Sequence, residues 1–125
     1  MPIHYRGIAV LVCLTALLPA CGQSPGSTSV TRETVNGVDV IHSMTRQQDG
    51  KVLLDCKASR SGLCHYRIQN LPDCKALLPS APQASCEGGG ELHAALSTGT
   101  HWEFTTSARV VVCVSDVPGK PCPAP

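Results

Sequence analysis

VTRETVNGVDVIHSMTRQQDGKVLLDC, residues 30 to 56, mixes β-branched and polar residues with period two and is broken by Asn36-Gly37 and by Gln48-Asp49-Gly50. An Asn-Gly pair is the strongest short hairpin signal, because both central positions of a type I′ turn need positive φ. Strands are therefore expected over 30 to 35 and 38 to 46. Read as a three-residue loop with Gly50 left-handed, the second turn pairs Met44 with Leu54 and His42 with Cys56, placing all four on one face.

The pattern extends outward from there. After the link KASRSGL the chain returns as CHYRI, and a hairpin register setting Val52 against Ile68 also sets Leu54 against Tyr66 and Cys56 against Cys64. The even positions form the buried face. Lys51, Asp55, Lys57, His65, Arg67 and Gln69 then point outward, while Leu53 and Leu63 leave that outer face partly covered or sticky. Asn70 is an N-cap candidate before PDCKALL, which has room for one or two helical turns with Pro72 in the first. PSAPQASCEGGG reads as loop. ELHAAL, HWEFTT and RVVVCVS read as three further strands, the last apolar without alternation as in a strand covered on both faces. The fold expected is all-β, a small disulfide-stabilised β-sandwich or partly open barrel of about six or seven strands, with a cysteine-closed loop between two meanders. The alternative is an α+β domain with a true helix over 71 to 79.

Composition narrows the function classes. Ten Lys and Arg against nine Asp and Glu give no basic footprint for nucleic acid and no acidic one for cations. One Trp, two Tyr and one Phe supply little of the large aromatic area that dominates core burial. Eight cysteines in 125 residues point to disulfides in an oxidising compartment. Cys56, Cys64, Cys74, Cys86, Cys113 and Cys122 allow fifteen pairings, and spacing alone does not choose among them. The local set, Cys56 with Cys64, Cys74 with Cys86 and Cys113 with Cys122, is favoured by the hairpin register and by the two loops it closes. The rival ties Cys56 or Cys64 to Cys113. No Cys-x2-4-Cys spacing suits a tetrahedral zinc site.

The first twenty residues read as an export signal. Arg6 gives MPIHYR a cationic start, and GIAVLVCLTALL has the length of a signal-peptide core and is too short to span a bilayer. Leu18, Pro19, Ala20 and Cys21 then resemble the lipobox of bacterial lipoprotein precursors, with Pro19 where the family more often has Ala, Ser, Thr or Val. The resemblance covers residues 1 to 21. It implies cleavage before Cys21, a diacylglycerol on its thiol and acylation of its new amino group. An ordinary secretory signal cut after Ala20 is the other reading, but it leaves seven mature cysteines, whereas lipidating Cys21 leaves an even six. Several acyl chains anchor stably where one does not, and Gly22 in place of Asp resembles the pattern of export to the outer membrane. Residues 21 to 29, the lipidated Cys21 followed by GQSPGSTS, form a flexible tether. Residues 30 to 125 form a single Cys-rich β domain.

Catalytic signatures are sparse. There is no Gly-x-Ser-x-Gly elbow, Gly88-Gly89-Gly90 lead into a strand rather than a helix, and nine acids are scattered through a domain too small for a deep cleft. The mature histidines are His42, His65, His93 and His101, and His93 and His101 would approach each other if ELHAAL and HWEFTT paired as a hairpin. The function expected is a non-catalytic binding or accessory module of inhibitor, immunity or assembly-factor type. It would be lipid-anchored at the outer membrane, facing the periplasm or the cell surface, with a protein partner in the envelope, no nucleic acid and no cofactor. The alternative is a periplasmic metal-binding protein using surface histidines.

Overall fold

Two four-stranded antiparallel sheets stack face to face in the computed structural model, which describes residues 26 to 122. The expected signal segment, Cys21 and the start of the tether lie outside the described residues. The strands are β1 (Ser27–Val35), β2 (Val38–Gln48), β3 (Lys51–Ser59), β4 (Leu63–Gln69), β5 (Ser85–Glu87), β6 (Glu91–Ser97), β7 (His101–Thr105) and β8 (Val111–Ser115). One sheet runs in the order β1-β2-β3-β7 and the other β5-β6-β4-β8. The protein is thus an all-β sandwich, with a 3-10 turn at Lys75–Leu77 in place of the alternative helix over 71 to 79. Pro72 and Pro79 bracket a segment too short to carry more.

Both Asx-Gly pairs make two-residue turns. Asn36 and Gly37 have φ of 52 and 78, Asp49 and Gly50 of 53 and 74, the signature of type I′ turns whose twist suits the flanking strands. Gln48 therefore pairs with Lys51, and Thr45 and Ser43, not Met44 and His42, stand opposite Leu54 and Cys56. The three-residue loop expected from the sequence is one residue too long, and a slip of one exchanges the faces. Ser43 and Thr45 consequently point into the interior, while Met44 and His42 are only partly buried. The β1 strand also begins earlier than expected: Ser27, Thr28 and Ser29 pair with Gln47, Arg46 and Thr45.

The link from β3 to β4 departs furthest from expectation. These strands do not form a hairpin; β3 pairs with β2 and β7, and β4 with β6 and β8. Arg60, Ser61 and Gly62 carry the chain from one sheet to the other, with Gly62 at φ 86, Ser61 Oγ donating to the Asp116 carbonyl at 2.5 Å, and Arg60 bonded to the Asp116 carboxylate at 3.1 Å. The even-numbered faces of β3 and β4 thus meet across the sandwich rather than lying side by side. Val52, Leu54, Cys56, Cys64, Tyr66 and Ile68 are all 0 to 2% exposed, which side-by-side strands covered by nothing would not achieve. Leu92, Ala94 and Leu96 of β6 and Trp102 and Phe104 of β7 join this core, the two rings with centroids 4.7 Å apart.

Two further expectations fail. β8 is an edge strand with Val111 exposed and Val112, Cys113 and Val114 partly buried, so its unbroken apolar run reflects a core face on one side and the disulfide-tied tail on the other. Cys86 sits in a short strand, β5, inside the stretch read as loop. Gly88, at φ 70, turns β5 back onto β6, and the carbonyls of Gly89 and Gly90 accept the amides of Cys74 and Leu71 at 2.9 and 3.0 Å. The glycines are a docking point for the chain after β4, and a Cβ on Gly90 would lie 3.2 Å from the Leu71 carbonyl oxygen.

The inward turn of Ser43 is matched by Tyr66, whose hydroxyl lies 2.6 Å from Ser43 Oγ across the core. Burial pushes the Tyr66 phenol up to about 12, with the Asp55 charge adding to the rise and the Ser43 bond opposing it. The folded state holds the phenolic proton after the unfolded state has released it. This contribution to stability is complete below the ordinary tyrosine pKa and is lost as pH rises from there towards 12. Absorbance at 295 nm should show Tyr66 ionising near 12. Ser43→Ala, which strands the hydroxyl, should cost about 1 to 3 kcal/mol in denaturant melts, most of it recovered when Tyr66→Phe is added.

Candidate functional site

The outward face of the β5-β6-β4-β8 sheet brings five ionisable side chains together, His65 and Arg67 of β4, Glu87 of β5, and Glu91 and His93 of β6. Residues two apart on a strand share a face, and directly paired residues do too. Arg67 pairs with both His93 and Cys113, His65 with both Ala95 and Ser115, Ser85 with His93, and Glu87 with Glu91. His65, Arg67, Gln69, Glu91 and His93 therefore form one continuous polar surface, each partly buried by its neighbours.

Glu91 is the centre of this surface. Gln69 Nε2 donates to its Oε1 at 2.9 Å, its Oε2 lies 2.8 Å from His93 Nε2, and Arg67 Nε is 4.0 Å from Oε2. The Gln69 bond, then the His93 bond, and the nearby Arg67 and His93 charges hold the Glu91 carboxyl below the usual carboxylate range. Glu87 Oε2 stands 3.8 Å from His93 Nε2 and is itself largely exposed.

A groove of about 480 Å³ crosses the same face. His65, Arg67, His93 and Ser115 line it, Lys120 closes it from the tail, and Thr31 and Glu33 of β1 reach it past the edge of the sheet. The tail is held there by the disulfide from Cys113 to Cys122, whose Cα atoms are 5.5 Å apart. The other disulfides join Cys56 to Cys64 and Cys74 to Cys86, at Cα separations of 5.8 and 6.0 Å. All six cysteines singled out in the sequence are thus structural in the folded domain, and Cys21 lies outside the described residues.

His93 and His101 are not brought together. β6 and β7 belong to different sheets, because Thr98, Gly99 and Thr100 cross between them, with the Gly99 amide bonded to the Cys56 carbonyl at 2.7 Å. What the sequence reading missed is the meeting of Glu87 with Glu91 and His93, which needs β5. The available signal was Glu87 and Glu91 flanking Gly88-Gly89-Gly90 at the spacing of a tight hairpin.

β1 is the second candidate surface. All nine of its residues are exposed, no strand among the described residues pairs with its outer edge, and Val30 and Val35 are 60 and 49% exposed, beside Val38 at 64%. Against known proteins, no family model, curated protein or solved structure matches the chain.

The Glu91 contacts make a pH prediction. A carboxylate with a lowered pKa gives stability that is complete above its unfolded value and is lost as pH falls through its folded one. Gln69→Ala should raise the Glu91 titration midpoint, followed by carboxyl-carbon NMR, towards the ordinary range. The variant should also lose less stability than the wild type between neutral and acid pH in thermal melts.

Proposed function

We propose that the protein is a lipid-anchored, non-catalytic binding module of the bacterial cell envelope, held at the outer membrane through Cys21 and engaging an extended segment of an envelope protein along β1. The observation that carries the binding reading is β1 itself. Sheet edges in stable proteins are commonly blunted by Lys, by Pro, by short length or by a covering element. β1 is nine residues long, has no Lys or Pro, and every one of its residues is exposed among the described residues. Its one irregularity is the bulge between Glu33 and Thr34. A free edge of this kind accepts an added strand through backbone hydrogen bonds, and exposed alternate side chains such as Val30 supply selectivity.

The anchor rests on the lipobox resemblance of residues 18 to 21 and on the three disulfides, which occupy all six cysteines of the folded domain and leave Cys21 for lipid. From Cys21 to the first residue of β1 the chain spans at most about 20 Å. The strand offered for binding therefore lies close to the membrane surface, where a partner in the same membrane is within reach.

Two experiments test the two halves. Expressed from its own full-length chain, the protein should fractionate with membranes and carry the added mass of its acyl chains, and Cys21→Ser should abolish both. With a photo-cross-linking residue at Val30, a discrete adduct to another envelope protein should form in cells, whereas the same residue at the exposed Lys75 should give none. Equal labelling from both positions, or an adduct of two copies of this chain, would remove β1 as a heterologous docking edge.

A further inference from the structure

Glu87 and Glu91 pair directly across the β5 to β6 hairpin, and His93 lies two residues further along β6. All three side chains accordingly stand on the outward face, with one donor atom from each lying within 4.8 Å of the others. The geometry points to a divalent transition-metal site at Glu87, Glu91 and His93, with zinc as the ion the set fits.

The ligand chemistry selects the metal. One imidazole nitrogen with two carboxylates suits zinc, whereas calcium and magnesium take oxygen ligands alone and soft ions such as copper(I) want sulfur. At zinc bond lengths of about 2.0 to 2.1 Å, tetrahedral ligand atoms stand roughly 3.3 Å apart. His93 Nε2 is 2.8 Å from Glu91 Oε2 and 3.8 Å from Glu87 Oε2, so two contacts straddle that spacing. The remaining adjustment falls on Glu87, whose side chain is 64% exposed and free to swing. Three protein ligands leave a fourth position for water.

The surroundings support the ligands. Gln69 Nε2 donates to Glu91 Oε1 at 2.9 Å, which fixes the carboxylate with Oε2 turned towards His93. Such outer hydrogen bonds orient metal ligands and carry about 10-fold to 100-fold in affinity. Arg67 pulls the other way. Its guanidinium, 4.0 Å from Glu91 Oε2, opposes a bound cation, and this separates a metal site from a plain ion cluster. In an ion cluster Arg67 stabilises the carboxylates; at a metal site its removal strengthens binding. The inference is independent of β1 and of the lipid anchor.

Isothermal titration of zinc into the exported protein, purified in detergent with its disulfides intact, tests the site. One zinc should bind per chain. His93→Ala and Glu91→Gln should each weaken binding about 10-fold or more, and Gln69→Ala about 10-fold. Arg67→Gln should tighten it, while His42→Ala and His101→Ala should leave it unchanged. Circular dichroism and non-reducing peptide maps of the variants establish that they fold. Absence of zinc binding to the wild-type protein, binding that survives His93→Ala, or binding lost with His101→Ala would overturn the assignment.

Discussion

The corner at which β3 passes into β4 is the constraint on which the rest of the structure depends. Packed sheets stand about 10 Å apart, yet Cys56 and Cys64 have Cα atoms 5.8 Å apart and are both fully buried. The sheets therefore converge at this end and are held there covalently. The second crossing, from β6 to β7, passes the same corner, where both the amide and the carbonyl of Cys56 bond to it, to the Thr100 carbonyl and the Gly99 amide. A loop of this length closed by a disulfide contributes roughly 2 to 3 kcal/mol by restricting the unfolded chain. Its larger effect is directional: with the corner fixed, the even faces of β3 and β4 have only each other to cover them.

This is also why the core was legible in the sequence while the pairing was not. Period two places Val52, Leu54, Cys56, Cys64, Tyr66 and Ile68 on a common buried face whether two strands lie side by side or face to face, so burial follows from pattern and adjacency does not. The same ambiguity explains how a local disulfide, argued from a hairpin, is present in a structure that has no hairpin there. Register behaved differently. A three-residue loop at Gln48-Asp49-Gly50 sets Met44 opposite Leu54, but the Asp49-Gly50 turn has one residue fewer and sets Thr45 there. The shorter turn sends Ser43 inward, where the Tyr66 hydroxyl across the core satisfies it.

The candidate site was largely hidden for a related reason. Three residues, Ser85 to Glu87, carry no periodicity that a reader could find, and their strand exists because β6 offers an edge and Cys74 holds Cys86 in place. Once β5 is paired, Glu87 has to face Glu91 and Ser85 has to face His93. The histidines were visible in the sequence, but the partner of His93 depended on which sheet β7 joined. That choice was made at Gly99, where φ is +86 and the chain turns away from β6.

β1 and the charged face of the other sheet are not separate regions. Every residue of β1 is exposed, and the tail after β8, tied back by Cys113 and Cys122, lies against the same groove as that strand. Thr31 and Glu33 thereby share a groove with His65, Arg67 and Lys120. That groove carries both signs of charge, Arg67 and Lys120 against Glu33 and Asp116, so a strand added along β1 would run beside a mixed polar surface. The disulfide that looks remote from the core is thus what sets the shape of the surface, because without it the tail has no covalent reason to lie across β8.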